Sequence, residues 1–518
     1  MLKKPRDFIK TKEARYFWLL LFGAFLIRVI GIGHGYPFVF HPDEPSVIRS
    51  ALGLMFEPNP KHFDWPHFHF YLNYHLFWNF TKFRRIFTTS TGVFSILWKE
   101  PIIFYLVSRA FNSLLGALTL IPVYLTGRSL FNKNVGLIAA ALLTILPFHV
   151  HASRLALIDV PMTFWLSIGV FFSAKILTNP NYRYYIFSGF FIGLAASTKY
   201  NGGLVALAVP TAHILRTMYS KDEKVASVRG ALSLVFSGIF AAFGFILGTP
   251  YALLDFKTFS RTDSPKGALW QFTNVGSVSG ADQFHQFLNV ITFKLSDDFG
   301  FTILVAYFMC ALVFILAAVF YKSGRFTNLN ILKEKSIEVW FLLIPSLFMF
   351  YYISGFAKPR SHYFMMVYPF VVLLAGAFLL EFLKIFSKYK SVLLIAFFVL
   401  PLYMTSLITV RALRADTRVL LYKWLENNLT NEDLIYYSNK ETKTVLEPFS
   451  NKSNSIKEVN TPTQHDVMIF TFSDHEYSNF LHGNSDYDFV NKTASLKEEI
   501  KPYYRNGPNI LIYRGTIK

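Results

Sequence analysis

Residues 40–47 read FHPDEPSV, directly after the first long apolar run of the chain. Pro42 and Pro45 bracket two adjacent carboxylates, Asp43 and Glu44. Ionisable groups at the edge of an apolar segment are costly and usually have a task. Pro45 suits the first turn of a short helix, which would place Asp43 at or near that helix's N-cap. One reading is therefore a capping aspartate with a solvated neighbour; the other is a carboxylate fixed at a membrane edge for chemistry. What else the chain brings to the same face decides between them.

The rest of the sequence defines that face. Hydrophobic residues make up 53% of the 518-residue chain and charged residues 16%. Apolar runs of twenty or so residues recur, each long enough to cross a hydrocarbon core. The chain reads as an α-helical polytopic membrane protein of about eleven spans, starting near Tyr16, Ile102, Asn134, Ile158, Arg183, Gly203, Gly230, Phe299, Ile337, Ser361 and Ser391. The basic N-terminus precedes a first span that is expected to be retained, since no small-residue cleavage site follows it. Residues 1–410 form the membrane domain, with long outer loops at 34–101 and 251–298. Residues 411–518 turn polar and alternate in DLIYYS and NILIYRG, as expected of a small soluble α/β domain.

The net charge of +19 does not point to nucleic acid, because Lys and Arg concentrate in short loops between apolar runs. That pattern sets topology and attracts anionic lipid. Basic segments such as MLKKPRDFIKTKEAR, GRSLFNKN, RTMYSKDEKVASVR and YKSGRFTNLNILKEKS are then inside. FHPDEP, HVHASRLALID, the end of STKYNGG, SGFAKPRSHY and the tail are outside. Asp43, Asp159, Lys199 and Arg360 thus share the extracytoplasmic face. The lone Cys310, within an apolar run, excludes a disulfide within the chain.

Taken singly, Asp159 reads as a helix cap, Lys199 as a snorkelling lysine, and Arg360, His362 and Tyr363 as interfacial anchors. Together they suit a transfer reaction at the membrane surface. One carboxylate takes the proton of an attacking hydroxyl, and cations stabilise charge growing on a phosphate leaving group. His62, His67, His69 and His75 with Asp64 suggest a metal site, but their offsets do not put three ligands on one helical face. That stretch reads instead as an amphipathic helix lying in the interface. Asp297 and Asp298, in FKLSDDFG, read as caps of the eighth span.

The same motifs resemble a known family. HPDEP, NPKHFDWPHFHFYL, SRLALIDVPMTFW and GLAASTKYNGG, in that order over roughly residues 16–385, are similar to those of GT-C glycosyltransferases of the family 39 type. Relatives include protein O-mannosyltransferases and lipid A aminoarabinose transferases. TRVLLYKWLENNLTNEDLIYY resembles the start of their outer domain. Three departures stand out. His362 replaces an arginine before Tyr363, with Arg360 two residues earlier. Trp65 stands where aminoarabinose transferases carry a lysine. Asp159 lacks a second acid two residues on, unlike the oligosaccharyltransferases, which weighs against metal-dependent en bloc transfer.

The resemblance implies a GT-C membrane domain and an inverting transfer of one sugar from a polyprenyl-phosphate donor to a hydroxyl of a lipid, glycan or protein. Asp43 would be the base, Glu44 a positioning group and Asp159 an acid that orients the acceptor, the sugar or the base. Lys199 and Arg360, helped by Tyr363 and His362, would hold the donor phosphate. No cofactor is required, although a divalent cation could bridge acids and phosphate. Transport or flipping of a lipid-linked sugar is the alternative, but no internal repeat or pair of discontinuous helices favours it. A non-catalytic assembly partner is a third reading.

Overall fold

The computed structural model describes residues 11–84, 100–220, 227–274, 276–319, 334–438, 442–455, 462–473, 476 and 493–516. Residues 1–10, 221–226 and 320–333, which carry much of the basic charge expected inside, lie outside the described residues, as does loop segment 85–99. The chain divides into two compact units, Met1–Val29 with Asp43–Ser406, and Ile30–Pro42 with Leu407–Lys518.

The first unit is helical. A helix begins within a few residues of every expected span start, from Lys12–Val29 through Lys390–Leu413. Among the described residues, six helical stretches qualify by length and apolarity to cross a membrane, 102–130, 159–178, 228–248, 336–354, 361–385 and 387–428, with shorter apolar helices at Lys133–Thr144 and Phe301–Leu316. Helix starts carry local signals. Asn132 accepts from the amides of Asn134 and Val135, and Asn181 from that of Arg183, so orphan first-turn donors are met.

Small residues bring Tyr182–Thr198 against Val228–Gly248. A Cβ at Gly189 would stand 2.0 Å from the Ser237 carbonyl oxygen, and one at Gly193 2.1 Å from that of Ala241. Backbones can approach this closely only where side chains are missing. The core runs along the middle of the unit, with Leu142, Leu166, Met349, Phe364 and Leu373 fully or almost fully buried.

The second unit is a five-stranded sheet with a helix. The strands are β1 (Leu434–Tyr437), β2 (Ser453–Ser455), β3 (Asp466–Phe472), β4 (Ala494–Ile500) and β5 (Asn509–Gly515), ordered β2-β1-β3-β5-β4. β1 pairs parallel with β2 and β3, and β5 antiparallel with β3 and β4. Period-two alternation sorts the sheet's side chains. Ile435, Val467, Ile469, Ile510 and Ile512 meet Leu421 and Leu425 of the Thr417–Asn428 helix, while Tyr436, Met468, Phe470, Leu511 and Tyr513 cluster on the other face. The expected alternation in DLIYYS and NILIYRG is thus β1 and β5. Phe38 and Phe40, from the stretch just before Asp43, also pack into this unit, and the Arg418 guanidinium lies 3.8 Å from the Phe40 ring centroid.

Candidate active site

The acids sit at helix starts. Asp43 precedes the helix Glu44–Gly53, and its side chain makes no capping bond to that helix. Asp159 is the first residue of Asp159–Thr178, so it does not cap that helix either. The cations occupy a second recurring position. Lys199 (φ −153°, ψ 129°) and Arg360 (φ −96°, ψ 149°) are extended residues, each opening a 3-10 helix, Tyr200–Leu207 and Ser361–Val367. The 3-10 turns lead into the helices Ala208–Ser220 and Tyr368–Ile385, so each cation is carried at a helix entrance.

These residues converge. Lys199 Nζ lies 2.5 Å from Asp159 Oδ1 and 5.1 Å from the Tyr363 ring centroid. Arg360, Asp159 and Asp43 all lie within electrostatic reach of the Tyr363 hydroxyl. The His362 ring meets Tyr363 edge-on at 4.4 Å. Lys199 is therefore an ion-pair partner at the end of its helix rather than a snorkelling side chain.

Glu44 has a different setting. It is fully buried, and its carboxylate accepts from Arg109 Nε (2.8 Å) and Nη2 (2.7 Å) and from the Ala156 amide (2.7 Å). Asn112 Nδ2 donates to the carbonyls of Leu155 and Leu157, both at 2.7 Å. Glu44 and Asn112 together grip the loop that delivers Asp159. Sequence reasoning missed Arg109, although a lone arginine inside the apolar run IIFYLVSRAF is itself a signal of a buried partner.

The histidine-rich stretch resolves into separate roles. His62 Nδ1 bonds Asp64, and its Nε2 bonds the Ser50 hydroxyl at 3.0 Å. His67 Nε2 bonds the His62 carbonyl at 2.8 Å. His69 is buried on the Phe68–Arg84 helix, stacked on Phe111, and neither of its ring nitrogens has a partner among the described residues. Burial pushes the imidazole of His67 down to about 4 and that of His69 to about 3, so both are neutral. The helix itself buries His69, Asn73, Phe77 and Thr81 on one face, a partly polar stripe. Among the described residues no group of three or more His, Cys, Asp or Glu could hold a metal. Asp297 and Asp298 lie in the short helix Leu295–Phe299, which immediately precedes the apolar helix Phe301–Val319. Burial raises the Asp298 carboxyl to about 6 against a hydrogen bond from Ser361 and the charge of Lys294.

A cavity of about 450 Å³ opens beside Lys199 and Tyr363, bounded by Asp64 and Trp65, by residues 271–273 and 276–278, and by Tyr352, Gly355 and Phe356. One wall is tied by main chain. Ser277 and Phe356 form an antiparallel bridge, the Val278 amide donates to Gly355 and the Ala357 amide to Gly276. Gln286 Nε2 donates to the carbonyls of both Ser354 and Phe356 at 2.6 Å.

Comparison with known proteins fits this arrangement. The profile of the dolichyl-phosphate-mannose-protein mannosyltransferase family matches residues 95–254, which hold Asp159 and Lys199. Over 155 residues the chain is 30% identical to dolichyl-phosphate-mannose–protein mannosyltransferase 1 of Saccharomyces cerevisiae, which is 29% of this chain and 18% of the yeast protein. The chain thus spans less than a fifth of that relative's length. An Archaeoglobus fulgidus oligosaccharyltransferase tethered to an acceptor peptide superposes with a TM-score of 0.51 at 14% identity, over 97% of this chain and 74% of the other. The chain has the GT-C glycosyltransferase fold. ArnT of Cupriavidus metallidurans, in the apo state, matches with a TM-score of 0.48 at 11% identity, over 96% of this chain and 98% of that one. In GT-C terms, the helical unit carries the motif residues, and the small sheet belongs to the second unit.

Proposed function

We propose that this protein is a GT-C glycosyltransferase that moves a single sugar from a polyprenyl-phosphate donor to an acceptor hydroxyl on the extracytoplasmic face of the cell membrane. The observation that carries the reading is the gathering of Asp43, Asp159, Lys199 and Arg360 around Tyr363. Asp43 takes the proton of the acceptor hydroxyl. The oxygen attacks the anomeric carbon from the side opposite the phosphate, the carbon–oxygen bond to phosphate breaks, and the configuration inverts. Lys199 and Arg360 receive the charge left on polyprenyl phosphate, with Tyr363 and His362 beside them. Asp159 orients Lys199 and the acceptor. Glu44 positions the acidic motif through Arg109. The acceptor is a lipid, glycan or protein hydroxyl. The scheme routes no step through a metal; a divalent ion beside the phosphate would be held by Asp43 and Asp159.

The test is Asp43→Asn in purified full-length protein given a panel of polyprenyl-phosphate sugars. The amide conserves shape but cannot take a proton, so transfer at saturating donor should fall by roughly two or more powers of ten. The melting curve should hardly move, because the Asp43 side chain does not cap its helix. Near-parental turnover would remove Asp43 as base and shift that role to Asp159.

A further inference from the structure

Three side chains of the first outer loop form a chain of contacts that the transfer scheme does not use. Ser50 Oγ lies 3.0 Å from His62 Nε2, and His62 Nδ1 bonds Asp64 Oδ1. The order Ser–His–Asp is that of a hydrolytic triad, but the surroundings are wrong for one. Ser50 lies inside the helix Glu44–Gly53, where backbone amides are engaged in helical bonds. The contacts instead fix the last member, Asp64, which borders the cavity next to Trp65.

Among the described residues, the cavity lining carries one charge of each sign. Of its lining residues, Lys199 is the one cation and Asp64 the one carboxylate; the other polar members, Asn201, Gln271 and Thr273 among them, are neutral. A phosphate is drawn to Lys199 and repelled by Asp64. Asp64 therefore suits the neutral part of a donor. There His62 occupies Oδ1, leaving Oδ2 to accept from hydroxyls, and charge-assisted bonds of this kind are the strong ones. Trp65 supplies an apolar face for the C–H side of a sugar ring.

We propose that Asp64, held in orientation by His62 and Ser50, is a specificity-determining residue that accepts hydrogen bonds from hydroxyls of the donor sugar. It selects a neutral, hydroxyl-bearing hexose over deoxy and acidic sugars. The assignment rests on the transferase reading and adds a residue outside its catalytic set.

The experiment compares kcat/KM for polyprenyl-phosphate mannose, glucose and galactose, then for the monodeoxy analogues and the uronic acid of the best of these. A ratio taken on one preparation does not depend on how much of the protein is folded. In the parent, one or two deoxy analogues should react more slowly by on the order of ten- to a hundred-fold. Asp64→Ala, which removes the acceptor, should bring that ratio close to one and ease the exclusion of the uronic acid, raising KM more than it lowers kcat. His62→Gln should move the ratio part of the way, through loss of orientation alone. An unchanged ratio in Asp64→Ala, with the parent active, overturns the assignment and leaves the transferase reading standing. A parent inactive with every donor overturns both.

Discussion

Two ion pairs in the helical unit are built to different plans. Glu44–Arg109 is closed, with side chains 0% and 1% exposed, two parallel hydrogen bonds and an amide on a third side. Asp159–Lys199 has one contact at 2.5 Å, with side chains 7% and 13% exposed and the lysine at a cavity wall. A bidentate guanidinium lends geometry, while an ammonium on a flexible stem lends a movable point charge. The closed pair holds backbone in place. The open pair keeps a cation where an anionic ligand can compete for it.

The contrast fails if the closed pair can be broken cheaply. Arg109→Ala leaves Glu44 buried without its cation, so stability should fall by about 3–5 kcal/mol. Differential scanning fluorimetry in detergent reads this as a large drop in Tm. Replacing both partners, Glu44→Leu with Arg109→Met, should recover much of the loss, apart from about 1 kcal/mol for the unmet Ala156 amide. Such a folded double variant should still transfer slowly, because the loop before Asp159 has lost a tether. Parental turnover there would reduce the pair to packing.

At the open pair the balance should reverse. Lys199→Ala should cut kcat/KM for donor by roughly a hundred-fold while lowering Tm far less than Arg109→Ala. Lys199→Arg should restore little, since a planar fork does not reproduce a point charge. If Lys199→Ala melts as early as Arg109→Ala with donor binding unchanged, both pairs are structural and the distinction disappears.

A smaller effect is expected at a buried acid that has no full ion pair. Burial raises the Asp298 carboxyl from 3.8 to about 6, so the folded state binds its proton more tightly than the unfolded chain does. That contribution is fully present below pH 4 and is lost as pH rises through 6. Asp298→Asn should therefore be more stable than the parent at pH 7.5, by roughly 2 kcal/mol. Thermal melts at pH 5 and pH 7.5 measure the difference. Equal slopes in parent and variant would mean that Asp298 is ionised without strain.

Local signals in the sequence carried much of this. Apolar runs placed the helices because a span's length and composition are properties of one segment. The Asp43, Asp159, Lys199 and Arg360 motifs stood out because charge beside an apolar run is costly wherever it occurs. Pairing did not show, since Glu44 and Arg109 are 65 residues apart. Nothing local marks Ile30–Pro42 as part of the second unit, where Phe38 and Phe40 look like any loop aromatics. The histidines of NPKHFDWPHFHFYL were grouped by composition. The fold separated them, sending His69 into the core and His62 to Asp64.

The main-chain ties across the cavity wall, between residues 276–278 and 355–357, are made by backbone groups, and of these residues Gly276, at φ +69°, favours glycine while Ser277 and Val278 carry no such restriction. Ser277 and Val278 could be exchanged for other residues without costing the wall its hydrogen bonds. A lineage could thus alter what the cavity admits in single substitutions, each neutral for folding. The motif cations, fixed at helix entrances, have no such latitude. Substrate range and reaction type are therefore separable in inheritance: the first can drift at the wall while the second stays under constraint.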